Sequence, residues 1–119
     1  MAKIIFVDDE TNLLQGLQRM LRKKKDEWDM TFLESGIEAL EKIKAQHYDV
    51  IVTDYKMPDI DGLQLLEEAK KVDESIKRVL LTGQSEEEIF NRAKDIVHIY
   101  VSKPCDSEKL ISEIEKLLK

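Results

Sequence analysis

Acidic residues follow two short apolar stretches of the sequence, at the point where each stretch ends. IIFV at positions 4 to 7 runs directly into Asp8 and Asp9, and VIVT at positions 50 to 53 runs directly into Asp54. Carboxylates brought close together repel one another, so such a cluster retains protons or binds a cation. Their oxygens are hard ligands that suit Mg²⁺, which leaves coordination positions for phosphate oxygens. An ion bridging carboxylate and phosphate would let an aspartate act as the nucleophile in phosphoryl transfer.

Two further positions carry side chains that can hold a phosphoryl oxygen. Thr82 follows the apolar run RVLL and offers a hydroxyl, and Lys103 comes just after HIYV and offers a compact cation. Alone, Thr82 is typical of a strand end and Lys103 of a solvated surface. Together with the three aspartates they form a constellation at four strand ends, and this joint order is far more specific than any single member.

Five short β-type runs alternate with helical patterns along the chain. The runs lie at positions 3 to 7, 30 to 33, 50 to 53, 78 to 81 and 98 to 101. The first, third and fourth are almost unbroken apolar, as expected of central parallel strands covered on both faces. The pattern predicts an α/β fold, a doubly wound five-stranded parallel sheet of flavodoxin-like (βα)5 type with strand order 2-1-3-4-5. In this order the first and third strands meet where ligands bind, so the three aspartates would converge.

Helix starts are marked by residues that cap helices. Ser35 and Ser85 each have a glutamate three positions later, which is the spacing of a capping box. Asp61 and Asp106 are suited to cap the third and fifth helices. We assign Asp59 and Asp61 to the turn and cap after the third strand, and not to the chemistry.

Charge and composition exclude several classes of protein. The chain of 119 residues fits one domain, residues 1–119, and its net charge of -6 opposes nucleic-acid binding by general phosphate neutralisation. A single cysteine, Cys105, permits neither an intrachain disulfide nor a clustered thiolate zinc site, and favours a reducing compartment. The apolar runs are too short to span a membrane and no signal-peptide core is present, so we expect a cytoplasmic location.

Three other features are interpreted as structural. The basic run KKK at positions 23 to 25 follows a helical pattern and is interpreted as a solvated helix end. His47 and His98 have no partner at metal or triad spacing. Trp28 is interpreted as a packing residue near the second strand.

The motifs VDDE, VTDYKMPDIDG, LLTG and YVSKP make the whole chain similar to the receiver domain of two-component response regulators. The resemblance implies that Asp54 is the phosphoacceptor. It also implies that Asp9 holds Mg²⁺ directly, Asp8 holds it largely through water, and the backbone carbonyl of Lys56 is another ligand.

The same resemblance implies roles for residues at the other strand ends. Thr82 and Lys103 would bind the phosphoryl group, and Tyr100 would be the switch aromatic. Lys56 and Gln84 would tune the lifetime of the phosphorylated form. The peptide bond between Lys103 and the following proline would be cis.

The function expected from the resemblance is a signalling switch. The domain would take a phosphoryl group from a histidine kinase or a histidine phosphotransfer protein, and would catalyse its own phosphorylation and slow dephosphorylation. Phosphorylation would change the affinity of the face formed by the fourth helix, fifth strand and fifth helix. The partner would be an output domain beyond Lys119, a separate target protein or a second copy, with no nucleic acid or membrane bound directly.

Three alternative functions are weighed against this one. A phosphatase of the haloacid dehalogenase type needs a second aspartate two positions after the nucleophile, but Tyr55 and Lys56 follow Asp54. A flavin-binding module would need a loop rich in Ser, Thr and Gly where VDDETN follows the first strand. A receiver-like docking module that is never phosphorylated would not need all five site residues, which are present.

Overall fold

A computed structural model describes residues 1–83, 91, 93–103 and 106–119 of the chain. The strands are Ala2–Val7 (β1), Trp28–Leu33 (β2), Val50–Asp54 (β3), Lys77–Thr82 (β4) and Ile99–Ser102 (β5). The helices assigned in these residues are Thr11–Met20 (α1), Gly36–Ala45 (α2), Gly62–Val72 (α3) and Ser107–Leu118 (α4), with a 3₁₀ turn at Arg22–Lys24. The helix predicted fifth from the sequence is α4. The predictions for Gln84, Ser85, Pro104 and Cys105 lie outside the described residues.

The five strands form one parallel sheet in the order β2-β1-β3-β4-β5. This confirms the predicted fold class and strand order. β3 is buried along its whole length because it lies in the centre of the sheet and is covered on both faces. The carboxyl ends of β1 and β3 are therefore neighbours at one rim.

The core consists of two clusters, one on each face of the sheet, because successive strand residues point to opposite faces. Ile5 and Val7 pack with residues of α2 and α3, whereas Ile4 and Phe6 pack with residues of α1 and α4. Phe6 also stacks on Phe32 of β2, with ring centroids 4.8 Å apart. Within the described residues, no helix is long and apolar enough to cross a membrane.

The helical spacing of Leu13, Leu14, Leu17, Met20 and Leu21 predicts one apolar stripe on the first helix, and the structure buries only part of it. Leu14, Leu17 and Leu21 are buried against the sheet. Leu13 and Met20, which belong to the same pattern, are 48% and 45% exposed. The two exposed side chains lie at the borders of the stripe, where the sheet does not reach them.

Side chains cap three helices as predicted. Ser35, Asp61 and Asp106 each accept a hydrogen bond from a backbone N–H two or three residues further along the chain. Asp59 accepts hydrogen bonds from the Ser35 hydroxyl at 2.8 Å and from the Ile37 N–H at 3.1 Å. Its position supports a role in the turn and not in the chemistry.

The basic run at positions 23 to 25 is not simply a solvated helix end. The side chain of Lys24 is only 12% exposed, and its Nζ lies 2.7 Å from a carboxylate oxygen of Glu115 on α4. The same ammonium lies over the Trp28 ring, 5.1 Å from the centroid. Lys23 also pairs with an α4 glutamate. The interpretation is wrong for Lys24, because packing of α4 against α1 brings acidic side chains to the run.

His47 lies between two carboxylates near the amino ends of the strands. Its Nε2 is 3.1 Å from Asp49 Oδ1 and its Nδ1 is 3.0 Å from Asp73 Oδ2. The hydrogen bond with Asp49, followed by that with Asp73, raises the pKa of His47. Nδ1 of His98 accepts a hydrogen bond from the Arg78 N–H at 3.0 Å. Both contacts agree with structural roles.

We expect the stabilisation provided by His47 to depend on pH. Its folded pKa is raised above the unfolded value of about 6.5, so protonated His47 stabilises the fold fully below that value. This contribution is lost as the pH rises through the folded pKa. His47→Gln should therefore unfold at lower urea than the parent near pH ~6, and the difference should shrink toward pH ~8.5.

His98→Gln is the contrasting variant for the same urea measurements. Burial, followed by the nearby charge of Arg78, lowers the pKa of His98, so its neutral form is the stabilising one. The stability that the histidine provides is fully present above its unfolded pKa and is lost as the pH falls through its lowered folded pKa. The difference from the parent should therefore grow as pH rises. A His47→Gln difference that stayed constant with pH would show that the carboxylates do not favour protonated His47.

Candidate functional site

The three predicted aspartates meet at the carboxyl ends of β1 and β3. Asp54 is the last residue of β3, and Asp8 directly follows Val7, which pairs with Thr53 across the two strands. One carboxylate oxygen from each of Asp8, Asp9 and Asp54 lies within 4.8 Å of the other two. Asp8 and Asp54 are buried and Asp9 is half-buried. This rim therefore presents three hard ligand oxygens in a small volume.

Lys103, the residue directly after β5, brings a positive charge to this cluster. Its Nζ lies 3.0 Å from Asp54 Oδ1 and 3.3 Å from Asp8 Oδ2. The Lys103 N–H donates to the Thr82 carbonyl at 2.8 Å, which extends the pairing of β4 and β5 by one step. The lysine backbone is thus fixed to the rim, and its side chain reaches two aspartates at once.

The charges at this rim are not balanced. Burial raises the pKa of Asp54, the Lys103 hydrogen bond and charge lower it, the Asp8 charge raises it again, and the net change is upward. Burial lowers the pKa of Lys103, but its hydrogen bond and charge interactions with Asp54 outweigh this, and the net change is also upward. One lysine therefore does not fully compensate the buried carboxylates, and further positive charge here would be favourable.

Thr82 ends β4 at the same rim. Asp54 is paired with Leu81 across β3 and β4, so Thr82 lies one residue beyond the level of Asp54. Thr82 is 3% exposed and is paired with Ser102 of β5. The structure thus brings Thr82 to the rim that carries the aspartates and Lys103, as the sequence predicts.

The three remaining predicted residues lie around this rim, or outside the described residues. Lys56 is exposed on the loop after β3, where it lines an open depression together with Asp9. Tyr100 lies within β5, paired with Leu80, and packs against the core cluster on the α2 and α3 face. Burial raises the pKa of the Tyr100 hydroxyl. Gln84 is not among the described residues.

Gly62 packs against the backbone of Asp54 and Tyr55, and the sequence analysis did not single it out. Its N–H donates to the Tyr55 carbonyl at 2.7 Å, so the first turn of α3 lies against the chain that follows β3. A Cβ at Gly62 would overlap the Asp54 carbonyl oxygen and would lie 2.9 Å from the Tyr55 Cα. The sequence signal that could have identified Gly62 is its position directly after the helix cap Asp61, in the short loop that follows Asp54.

Comparison with known proteins covers almost the whole chain. Residues 4–115 match the family described as response regulator receiver domain. The chain belongs to this family. Receiver domains are the phosphorylation-controlled domains of two-component response regulators.

Individual receiver domains give the same result. The chain is 33% identical over 125 residues to the uncharacterized transcriptional regulatory protein YesN of Bacillus subtilis. This match covers 99% of the chain and 33% of YesN. It is 27% identical to sporulation initiation phosphotransferase F of the same bacterium, and the match covers 98% of the chain and 93% of that protein. A response regulator receiver domain protein from Clostridium thermocellum has a TM-score of 0.88 and 29% identity, with coverage of 98% and 94%. The chain thus spans a third of YesN and nearly all of the other two.

The residues present in this receiver domain fit the Mg²⁺ that the family generally binds at an acidic pocket. Three carboxylate oxygens within 4.8 Å of one another are a suitable donor set for a small hard cation. Three carboxylates face the single ammonium group of Lys103 at this rim, so a further cation would improve the charge balance. Histidine kinases or phosphotransfer proteins, and output domains, are the partners of the family.

Gly62→Ala should destabilise the receiver domain by about 1–3 kcal/mol, because the added methyl group forces α3 away from the Asp54 backbone. Gly16→Ala within α1 is the matched control. Its Cβ would meet only the Arg19 side chain, at 3.9 Å, and alanine favours the helix by up to about 1 kcal/mol. Urea denaturation measures both free energies of unfolding. Equal effects of the two substitutions would contradict close packing of α3 on the acceptor.

Proposed function

We propose that this receiver domain accepts a phosphoryl group on Asp54 from a histidine kinase or a histidine phosphotransfer protein. The observation that carries the proposal is the convergence of three carboxylate oxygens within 4.8 Å, with Lys103 Nζ 3.0 Å from Asp54. Mg²⁺ would be held by Asp8, Asp9 and Asp54. The backbone carbonyl of Lys56, two residues after the acceptor, would be a further ligand. Residues 1–119 would form this one domain.

In the proposed reaction, a carboxylate oxygen of Asp54 attacks phosphorus while the bond from phosphorus to the donor imidazole nitrogen breaks. The donor histidine keeps the electron pair of that bond, and the product is an acyl phosphate on Asp54. When bound, Mg²⁺ supplies positive charge for the phosphoryl oxygens. Lys103 exchanges its carboxylate contact for a phosphoryl oxygen, and the Thr82 hydroxyl donates to another. Both residues stand at strand ends and need only side-chain movement.

The output in this proposal is a change at the face formed by the segment before β5, β5 itself and α4. Thr82 follows the phosphoryl group. Tyr100 is paired with the residue two positions before Thr82 in β4 and already packs against the core, and this inward position would become more populated. A phosphoryl group adds a charge of about -1.5 to -2, which biases an element with two arrangements. The partner at this face would be an output domain beyond Lys119, a separate target or a second copy.

The rival functions differ from this proposal in chemistry that this chain lacks or does not need. The family match favours a receiver over a haloacid dehalogenase-type phosphatase, whose general acid has no counterpart at Lys56. The same match favours it over a flavin-binding module. A docking module that is never phosphorylated would keep the fold without a cation-demanding rim, and phosphorylation assays separate it from a switch.

Acetyl phosphate with Mg²⁺ should add one phosphoryl group to the receiver domain, detected by intact mass, and excess EDTA should prevent the reaction. Asp54→Asn should abolish the addition because the amide is a poor nucleophile. Asp59→Asn is the matched control, since Asp59 is an exposed aspartate five residues away whose carboxylate accepts hydrogen bonds from residues at the start of α2. Phosphorylation of Asp54→Asn to the parent level would refute the acceptor assignment.

Lys56→Asn should shorten the lifetime of the phosphorylated form severalfold. Hydrolysis needs a water in line with the scissile bond, and the long Lys56 side chain at the rim covers that approach while its charge neutralises phosphoryl oxygens. The first-order loss of phosphoryl group, followed by intact mass at fixed Mg²⁺, measures this. Lys42→Asn, on the exposed side of α2, should leave the rate unchanged. An equal or slower rate in Lys56→Asn would refute shielding.

A further inference from the structure

The basic residues after α1 divide into two pairs with different surroundings. Lys23 and Lys24 pair with glutamates of α4. Arg22 and Lys25 instead line an open depression beside β2. Within the described ranges, neither of these two side chains has a hydrogen-bond or ion-pair partner. Two uncompensated cations therefore stand at one place on a chain whose net charge is -6.

The depression, called the β2 groove below, has an apolar floor made by one face of β2. The floor consists of Trp28, Met30 and Phe32, which are alternate residues of the strand. Trp28 is only 5% exposed, and Phe32 is stacked on Phe6 of β1. The floor is therefore fixed by the core before any ligand arrives. Its volume of about 360 Å³ is at the lower end for ligand sites and suits one bulky side chain.

The groove also borders the outer edge of the sheet. β2 is paired with β1 on one side, and no described strand pairs with its other side. Three consecutive residues, Trp28, Asp29 and Met30, line the groove, so the backbone edge itself forms part of the wall. Alternation along the strand directs the Asp29 side chain to the opposite face from its two neighbours. Among the side chains that line the groove, Arg22 and Lys25 are basic and Asp29 alone is acidic, so the lining is net positive.

We propose that the β2 groove binds an acidic peptide segment of a partner protein that carries one bulky apolar side chain. The apolar side chain packs on the partly exposed Met30 and Phe32, beside the nearly buried Trp28, and flanking carboxylates pair with Arg22 and Lys25. The exposed edge of β2 lets an extended segment lie alongside it. Two cations over an aromatic floor, on an acidic domain, match a short acidic peptide better than the long phosphate array of a nucleic acid.

This docking site is independent of phosphoryl transfer. Trp28 pairs with Ala2, so the groove lies toward the amino ends of the strands, whereas Asp54 ends β3 at their carboxyl ends. A segment in the groove would leave the acidic rim open to a phosphoryl donor. Binding in the groove can therefore be tested in the unphosphorylated protein, and the result does not depend on the role of Asp54.

The probe is a short synthetic peptide that alternates glutamate with serine around a single central phenylalanine. Trp28 is the only tryptophan of the chain, so its fluorescence reports directly on the groove floor. We expect saturable change in this fluorescence, with NMR shifts confined to Trp28, Met30 and their neighbours. Two control peptides, one with lysine in place of glutamate and one with serine in place of phenylalanine, should each bind at least about tenfold more weakly.

Two charge-reversal variants separate local pairing from general charge. Arg22→Glu with Lys25→Glu should weaken binding of the acidic peptide about tenfold. Lys42→Glu with Lys44→Glu makes the same change in net charge on the exposed side of α2 and should bind like the parent. Arg22→Gln with Lys25→Gln, a milder change, should weaken binding in the same direction. Thermal unfolding and NMR spectra of each variant verify that the fold is retained.

Several results would overturn the proposal. They are an unchanged Trp28 fluorescence with the acidic peptide, equal binding of the lysine peptide, and equal affinities of the two charge-reversal variants. NMR shifts at the groove that depend on protein concentration without peptide would assign the surface to a second copy instead. Shifts confined to other surfaces would likewise remove the groove as the binding site.

Discussion

Mutual repulsion among three carboxylates at one end of the sheet is the interaction on which the functional rim depends. Two unit charges 4.8 Å apart repel one another by about 3 kcal/mol at an effective dielectric constant near 20. That is a large fraction of the stability of a typical domain. Lys103 offsets part of the repulsion by contacting two of the acids, yet burial still raises the pKa of Asp54. The folded state therefore keeps excess negative charge at this rim, and a bound cation would reduce the repulsion.

The fold keeps the three carboxylates close together because hydrogen bonds from several directions hold the backbone around Asp54. The Tyr55 N–H donates to the Leu81 carbonyl at 3.1 Å, and the Gly62 N–H donates to the Tyr55 carbonyl at 2.7 Å. The Thr53 hydroxyl donates to the Asp54 carbonyl at 3.0 Å. β3 is in addition paired with β1 up to Thr53, so these contacts together oppose a movement of the strand end that would separate the charges. Relief has to come from side-chain movement or from a bound cation, which makes the rim responsive while the sheet stays fixed.

The sequence predicts features that depend on local pattern and on general rules of connection. Strand positions agree within two residues because buried strands are nearly unbroken apolar runs. The order agrees because 2-1-3-4-5 is a common arrangement of five alternating strands and helices. Features set by the packing of whole helices were not predictable. Lys24 meets Glu115 across 91 positions, and His47 meets Asp73 only because α3 ends beside it. Gly62 was missed because its importance lies in the space between α3 and the acceptor, which no sequence pattern measures.

The β2 groove carries basic side chains, and one chain of contacts connects it to α4. Lys24 covers the Trp28 ring in the floor of the β2 groove, and its Nζ lies 2.7 Å from Glu115 of α4. α4 also belongs to the proposed output face. An occupant of the groove would lie beside Trp28. The side chain that covers the Trp28 ring, Lys24, is the one that pairs with α4. Such an occupant would influence the switch only in proportion to its preference for one of two positions of α4, and the same preference would make phosphorylation alter the affinity of the groove.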